Sequence, residues 1–224
     1  MTNKEDSTGA RETDVSQPEK QSRWRAVAWV AAAPVIFALA FFARSYPLAA
    51  NWQRHLFGQA GVDQSTQLWL YWWTKYALWD SPQSLLYTHH LNYPLGVDIT
   101  GDFICFLHAL LAVPLQGLFG LTGAVNALYL LTYVFTSFGV FMLVRHLTRS
   151  NLLAVVAGLL MVHLPYYTAL NSLNTDLLSF GFAALFILYL LRTTQEEGWR
   201  PPVLAGLMLA LTSMENMEIG RAHV

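Results

Sequence analysis

From Phe103 to Val144 the chain carries no formal charge. A run of roughly forty residues is about twice what one bilayer crossing requires. A soluble fold would need polar surface to cover its core, and this chain has little to offer. Charged residues make up 12% of its 224 residues and hydrophobic ones 54%, against about 25% charged in ordinary soluble domains. Residues 1–22 hold five acids and three bases, and only ten more charges fall between Ala26 and Leu191. This distribution argues against a soluble enzyme and for an all-α, polytopic membrane helix bundle with the lipid bilayer as its first partner. A net charge of −1 gives no reason to expect nucleic acid. The lone Cys105 excludes an internal disulfide and reads as a small buried hydrophobe. His89-His90 is a bare dyad without a Cys or acidic partner at ligand spacing, so no metal site or other cofactor is read from it.

The two ends differ in kind. Residues 1–22 show no apolar face and read as a disordered cytoplasmic tail. Arg23 and Arg25 then precede the apolar run Ala26–Ala43. That run exceeds the hydrophobic core of a cleaved signal peptide, so it reads as a retained signal-anchor helix with its N-terminus in the cytoplasm. At the other end, Glu218–Val224 (EIGRAHV) resembles the in-frame translation of a sequencing-library adapter. On this reading those residues are not biological, residues 23–217 are the N-terminal part of a longer membrane domain, and the fragment alone is inactive.

Five apolar segments are candidate helices: Ala26–Ala43, Phe103–Phe119, Ala124–Val144, Leu152–Tyr167 and Leu177–Leu191, with a sixth beginning at Val203. Arg145 and Arg149 share one short loop, and Arg192 and Arg200 another. The positive-inside rule places both loops in the cytoplasm. This holds only if Phe103–Phe119 does not cross. That segment carries His108, Pro114 and Gln116 and ends in the glycine-rich stretch Gly117–Gly123. It reads as a re-entrant or surface-lying helix pair on the outer side. Residues 45–123 then form one large outer region of a multi-pass plasma (inner) membrane protein.

Within that region, Trp69, Trp72, Trp73, Tyr76 and Trp79 recur at helical spacing, with Gln64, Gln67, Tyr71 and Lys75 opposite. An aromatic face opposed by a polar one suits a helix at headgroup level; a helix packed on the bundle is the other reading. Asp63 opens this helix, either as its N-cap or as a general base beside the membrane, and one residue can do both. Leu91–Asp98 carries turn chemistry around Pro94 and Gly96. Asp98 and Asp102 start the next apolar run, as caps or as acids meeting a cation or sugar hydroxyls. Asp176 sits at the mouth of a membrane helix, where an ionisable group is a functional candidate; an N-cap is its plainer role.

Taken in order, Asp63, the Trp-rich helix Trp69–Trp73, the stretch Tyr93-Pro94-Leu95-Gly96-Val97-Asp98, then Pro114, Gly120, Asn126, the basic end Arg145–Arg149, Pro165-Tyr166 and the loop Asn171–Asp176 resemble a bacterial family of the GT-C glycosyltransferase superfamily. The resemblance covers about residues 26–211. It implies a polyprenyl-phosphate sugar donor, an unidentified hydroxyl acceptor, transfer on the outer face of the membrane, and a catalytic carboxylate in the first outer loop, here Asp63. Gly61 stands where the superfamily often has a first acid of a pair, and Asn171-Ser172-Leu173-Asn174 lacks the frequent His. The candidate substrate-binding residues are Lys75, His89, His90, Tyr93, Asp98, Asp102, Tyr166 and Asp176.

The expected chemistry is an inverting displacement in which Asp63 takes the acceptor's proton, an effect typically of about 10²–10⁴-fold. The departing lipid phosphate needs positive charge nearby, for which Lys75, Arg54, His89 and His90 are the outer candidates. Lys75 lies about 18 Å along a helix from Asp63 and also reads as a snorkelling interface anchor. The rival function is a membrane transporter or flippase. It would require ionisable or broken-helix features near the bilayer midplane, and the four assigned crossings hold no charged residue. A polytopic protein without catalytic activity is the third reading.

Overall fold

A computed structural model describes residues 16–57, 62–102, 106–164 and 180–215, with side chains for 24–57, 64–101, 106–164 and 180–214. The chain is mainly helical. Helix α1 (Ser16–Arg44) leads through a short 3₁₀ turn, Leu48–Asn51, to α2 (Val62–Lys75) and a π-helical turn, Tyr76–Asp80. A two-residue antiparallel pair follows, β1 (Tyr87–Thr88) with β2 (Val97–Asp98), in the register Tyr87 opposite Asp98 and Thr88 opposite Val97. A 3₁₀ turn, Thr100–Asp102, precedes α3 (Phe106–Thr148), then α4 (Asn151–His163), α5 (Gly181–Thr193) and α6 (Arg200–Glu215). Helix α1 begins inside the segment read as a tail, at Ser16. The apolar runs expected to reach Tyr167 and to start at Leu177 are helical to His163 and from Gly181.

Helix α3 is two helices. Gly120 has φ 70° and ψ 176°, a backbone that L-residues avoid and glycine adopts freely. A straight helix would separate residues 108 and 132 by about 36 Å. Instead His108 Nε2 lies 2.7 Å from the Thr132 hydroxyl, both buried. The chain therefore reverses at Gly120, and the arm 106–119 runs back along the arm 121–148. The break falls within the glycine-rich stretch where the sequence separates two helices.

The longer arm of α3 is the scaffold of the molecule. Helix α1 packs along it, with Phe37 edge-on to Phe141 and Phe41 to Tyr133. Helix α4 returns antiparallel after a tight turn in which Arg149 takes φ 58° and the Ser150 hydroxyl caps the Leu153 N–H. Close helix approach rests on small residues. A Cβ on Gly158 would come 2.6 Å from the Ser137 carbonyl oxygen, and one on Gly139 would come 2.6 Å from that of Gly181 on α5. Such contacts let the helix backbones approach closely.

Three basic segments meet at one end of this bundle. The Arg145 guanidinium donates to Asn151 Oδ1 at 2.8 Å and reaches the Ala26 carbonyl at 3.5 Å. His146 Nε2 lies 3.0 Å from Gln195 Oε1, beside the Arg192–Glu196 ion pair. The opposite end carries the 45–57 loop, which Asn126 clamps. Its amide nitrogen donates to the carbonyls of Trp52 and His55, both at 2.7 Å, and its oxygen accepts from the Phe57 N–H at 2.9 Å. Two helices, Trp24–Arg44 within α1 and α3, are long and apolar enough to cross a membrane. The core is mainly hydrophobic, with some polar residues inside it and many apolar ones outside. Asn126, Thr132, Thr136 and Ser137 are buried, while Val35, Leu39, Leu131, Leu152, Leu160 and Leu190 are exposed on the helix faces.

Candidate functional site

The motif residues of the outer region converge on α2 and the β-hairpin. Helix α2 is packed on the bundle, the second of its two readings, and through both faces. Gln64, Gln67 and Tyr71 of the polar face are buried and Lys75 half-buried, while Trp73 of the aromatic face is fully buried and Trp69, Trp72 and Tyr76 pack half-buried on the same core. Part of the surface that the polar face meets is itself polar. Gln64 Nε2 donates to the Phe57 carbonyl at 3.0 Å, and Gln116 Nε2, on the short arm of α3, donates to the Tyr71 carbonyl at 2.8 Å. Buried amide groups of this kind need partners, and the irregular 45–57 loop offers free carbonyls. Trp73 is fully buried as well, and its indole N–H donates to the Leu85 carbonyl at 3.0 Å.

The aromatic rings then stack on themselves. Trp69 lies parallel to Trp73, centroids 5.7 Å apart, and Trp72 on Tyr76 at 5.1 Å. His90 closes the cluster, with its ring 5.8 Å from Trp72, 5.4 Å from Trp73 and 5.3 Å from Tyr76. Pairs of this type contribute about 0.5–1.5 kcal/mol each beyond area burial. His90 thereby welds the hairpin to α2, and its backbone N–H is held by the Thr88 hydroxyl at 3.0 Å.

The hairpin loop is braced from within. The Tyr87 hydroxyl donates to the Leu95 carbonyl, and His89 Nδ1 lies 3.2 Å from the Pro94 carbonyl oxygen. Gly96, at φ 77°, leaves no room for a side chain: a Cβ would sit 2.6 Å from the Tyr87 hydroxyl and 2.9 Å from His89 Nδ1. Tyr93 and Leu95 project from this braced loop, 85% and 81% exposed. Asp98 accepts from the Thr100 N–H at 2.8 Å. Hydrogen bonding from the Thr100 side chain, and then from its backbone, holds this exposed carboxyl below its ordinary value.

Several candidates therefore have structural partners. Lys75 forms a two-pronged ion pair with Asp80, at 2.9 and 2.8 Å, across the π-helical turn. His89 and His90 brace the hairpin, Asp98 caps the turn into Thr100, and Tyr93 alone among the described candidates is left fully open. Asp63, expected as the N-cap of α2, is its second helical residue. The side chains of Asp63 and Asp102, and all of Tyr166 and Asp176, lie outside the described residues, as does Cys105. Among the described residues no group of three His, Cys, Asp or Glu is placed to hold a metal ion.

The sequence reading missed two features. Asn126 appeared only as a motif position, yet it organises the 45–57 loop through three hydrogen bonds. Arg44 and His55 were not singled out; the signal for Arg44 was its place as the lone base closing an apolar helix. No protein-family profile, curated protein or solved structure matches this chain.

Proposed function

We propose that the protein is a multi-pass membrane glycosyltransferase of GT-C type. On this reading it transfers a sugar from a polyprenyl-phosphate donor to a hydroxyl acceptor on the outer face of the plasma membrane. The observation that carries the reading is the joining of separate motif segments into one unit, through the cluster of His90 with Trp72, Trp73 and Tyr76. Asp63 stands at the other end of the same helix, α2, about 14 Å along it from Trp72.

The membrane part of the reading draws on the gathering of Ala26, Arg145, His146 and Arg192 at one end. Under the positive-inside rule a shared end is what cytoplasmic loops require. The exposed leucines and buried polar groups supply the lipid-facing surface such a bundle needs. The short arm 106–119 folds back on the long arm through His108 and Thr132, which suits the reading of a re-entrant segment entering from the outer side.

Asp63 acts as general base, drawing the proton from the acceptor oxygen as it attacks the anomeric carbon. The leaving phosphate departs as an anion and needs no proton. With Lys75 engaged by Asp80, the positive charge that receives it comes from elsewhere in the outer region. The test is a labelled polyprenyl-phosphate sugar assay on membrane vesicles carrying the protein from its native gene. Asp63→Asn is expected to abolish transfer at unchanged expression. Transfer that survives reduces Asp63 to a helix-capping residue and removes the assignment. Label crossing the membrane without turnover would make the protein a carrier instead.

A further inference from the structure

The polar face of α2 is tied to the bundle at two points. In the first turn, Gln64 is more than nine-tenths buried, and its amide donates to the Phe57 carbonyl at 3.0 Å. Two turns on, the Tyr71 carbonyl accepts from Gln116 Nε2 at 2.8 Å, and Gln116 is buried to the same degree. Residues 64 and 71 share one face and lie about 10 Å apart along the axis. Two such ties hold the helix against sliding and against rolling about its axis, because a hydrogen bond weakens steeply once its geometry drifts. Packing of the aromatic face adds buried area, but apolar burial is non-directional.

The acceptor of the first tie is itself anchored. The Phe57 N–H donates to Asn126 Oδ1 at 2.9 Å, and the Phe57 ring lies 5.3 Å from that of Phe41 on α1 and 5.4 Å from that of Tyr129 on α3. Asn126, fully buried on the long arm of α3, also holds the Trp52 and His55 carbonyls. Phe57 is thus held by three helices, through its N–H, its carbonyl and its ring. Gln64 carries that anchorage into the first turn of α2, where Asp63 is the neighbouring residue.

We propose that Gln64 is a positioning residue: it fixes the roll and height of the first turn of α2, and with them the place of the Asp63 backbone. Its bearing on catalysis rests on the transferase reading; the tie itself does not. A general base must come within about 2.6–3.2 Å of the atom whose proton it takes. At the ~2.3 Å radius of a helix, a roll of about 25° moves a Cα by about 1 Å. An error of that size costs about 10²-fold in rate. Without the Gln64 amide, the Phe57 carbonyl loses this donor and the first turn of α2 is free to roll.

The test uses the protein from its native gene, purified in detergent in an otherwise cysteine-free background. Spin labels are placed at Ser65→Cys, exposed in the first turn of α2, and Leu152→Cys, exposed at the start of α4. Their separation is read by double electron–electron resonance, with circular dichroism to check helix content. Gln64→Met keeps the length of the side chain but not its donor, and its distance distribution is expected to broaden or shift. Gln64→Glu donates only when protonated, so its distribution is expected to be narrow at low pH and broad at high pH, while that of Gln64→Met is the same at both. In the vesicle assay Gln64→Met is expected to lower kcat by about tenfold or more, with KM within about twofold. An unchanged distribution in Gln64→Met of normal helix content overturns the proposal. If that variant loses helix content, Gln64→Glu decides, and a distribution indifferent to pH overturns it. So does a normal kcat in Gln64→Met where Asp63→Asn abolishes transfer. Transfer that survives in Asp63→Asn, or none in the wild type, removes the transferase reading instead, and the distance distributions alone then decide whether Gln64 sets the first turn.

Discussion

Single residues in this chain do the work of whole contact surfaces. Asn126 is fully buried and satisfies three backbone groups of an irregular loop. Leucine in its place keeps the volume but orphans two carbonyls and an N–H, and each buried orphan costs about 1–3 kcal/mol. Asn126→Leu is therefore expected to destabilise the protein by several kcal/mol, seen as a lower unfolding midpoint in detergent and faster proteolysis within 45–57. Asp98 acts by charge. Its carboxyl is held below the ordinary 3.8 by Thr100, so its contribution is fully present above that ordinary value. It is lost as pH falls through the lowered one. A ¹³C titration of the Asp98 carboxyl should give a midpoint below 3.8, and Thr100→Val should raise it; a midpoint at or above 3.8 contradicts the cap. The role of Asn126 was hidden because its partners are carbonyls some seventy positions away, which no local pattern reports. The turn around Gly96 was legible because Pro94 and Gly96 announce their own backbone demands.

At the scale of elements, apolar runs and their basic ends located α3, α4, α5 and the C-terminal end of α1 to within a few residues, whereas α1 begins ten residues early, at Ser16, in a polar stretch that carries no apolar signal. Gly117–Gly123 marked a break, and the turn falls at Gly120. The packing of α2 on the bundle is one of its two readings in the sequence, and the aromatic residues do pack on the core. Burial of the glutamines was not legible, because it depends on the Phe57 carbonyl that Gln64 meets. The Lys75–Asp80 pair is 30% and 41% exposed, so Lys75→Gln should cost under about 1 kcal/mol. Helix contacts are less forgiving. At Gly139 even a methyl group would press on the Gly181 backbone, so Gly139→Leu must push α3 and α5 apart. The expected result is a loss of about 1–3 kcal/mol or more, measured as a drop in thermal midpoint. An unchanged midpoint would show that the two helices do not meet there.

For the whole molecule, the charge pattern carried more information than any motif. Five acids and three bases in residues 1–22, and only ten charges between Ala26 and Leu191, led to the expectation that the basic loops share a side. Ala26, Arg145, His146 and Arg192 lie at one end, and the hairpin packs on α2. The chemistry proposed for Asp63 depends on the outer region facing away from that end, because an outer-face donor reaches only residues on the outer side. The most direct test is cysteine labelling of intact cells with a membrane-impermeant maleimide, in a Cys105→Ser background that carries either Leu95→Cys or Glu196→Cys. The account predicts that Leu95→Cys is labelled in intact cells and Glu196→Cys only after permeabilisation. Labelling of both from outside, or of Glu196→Cys alone, would contradict it.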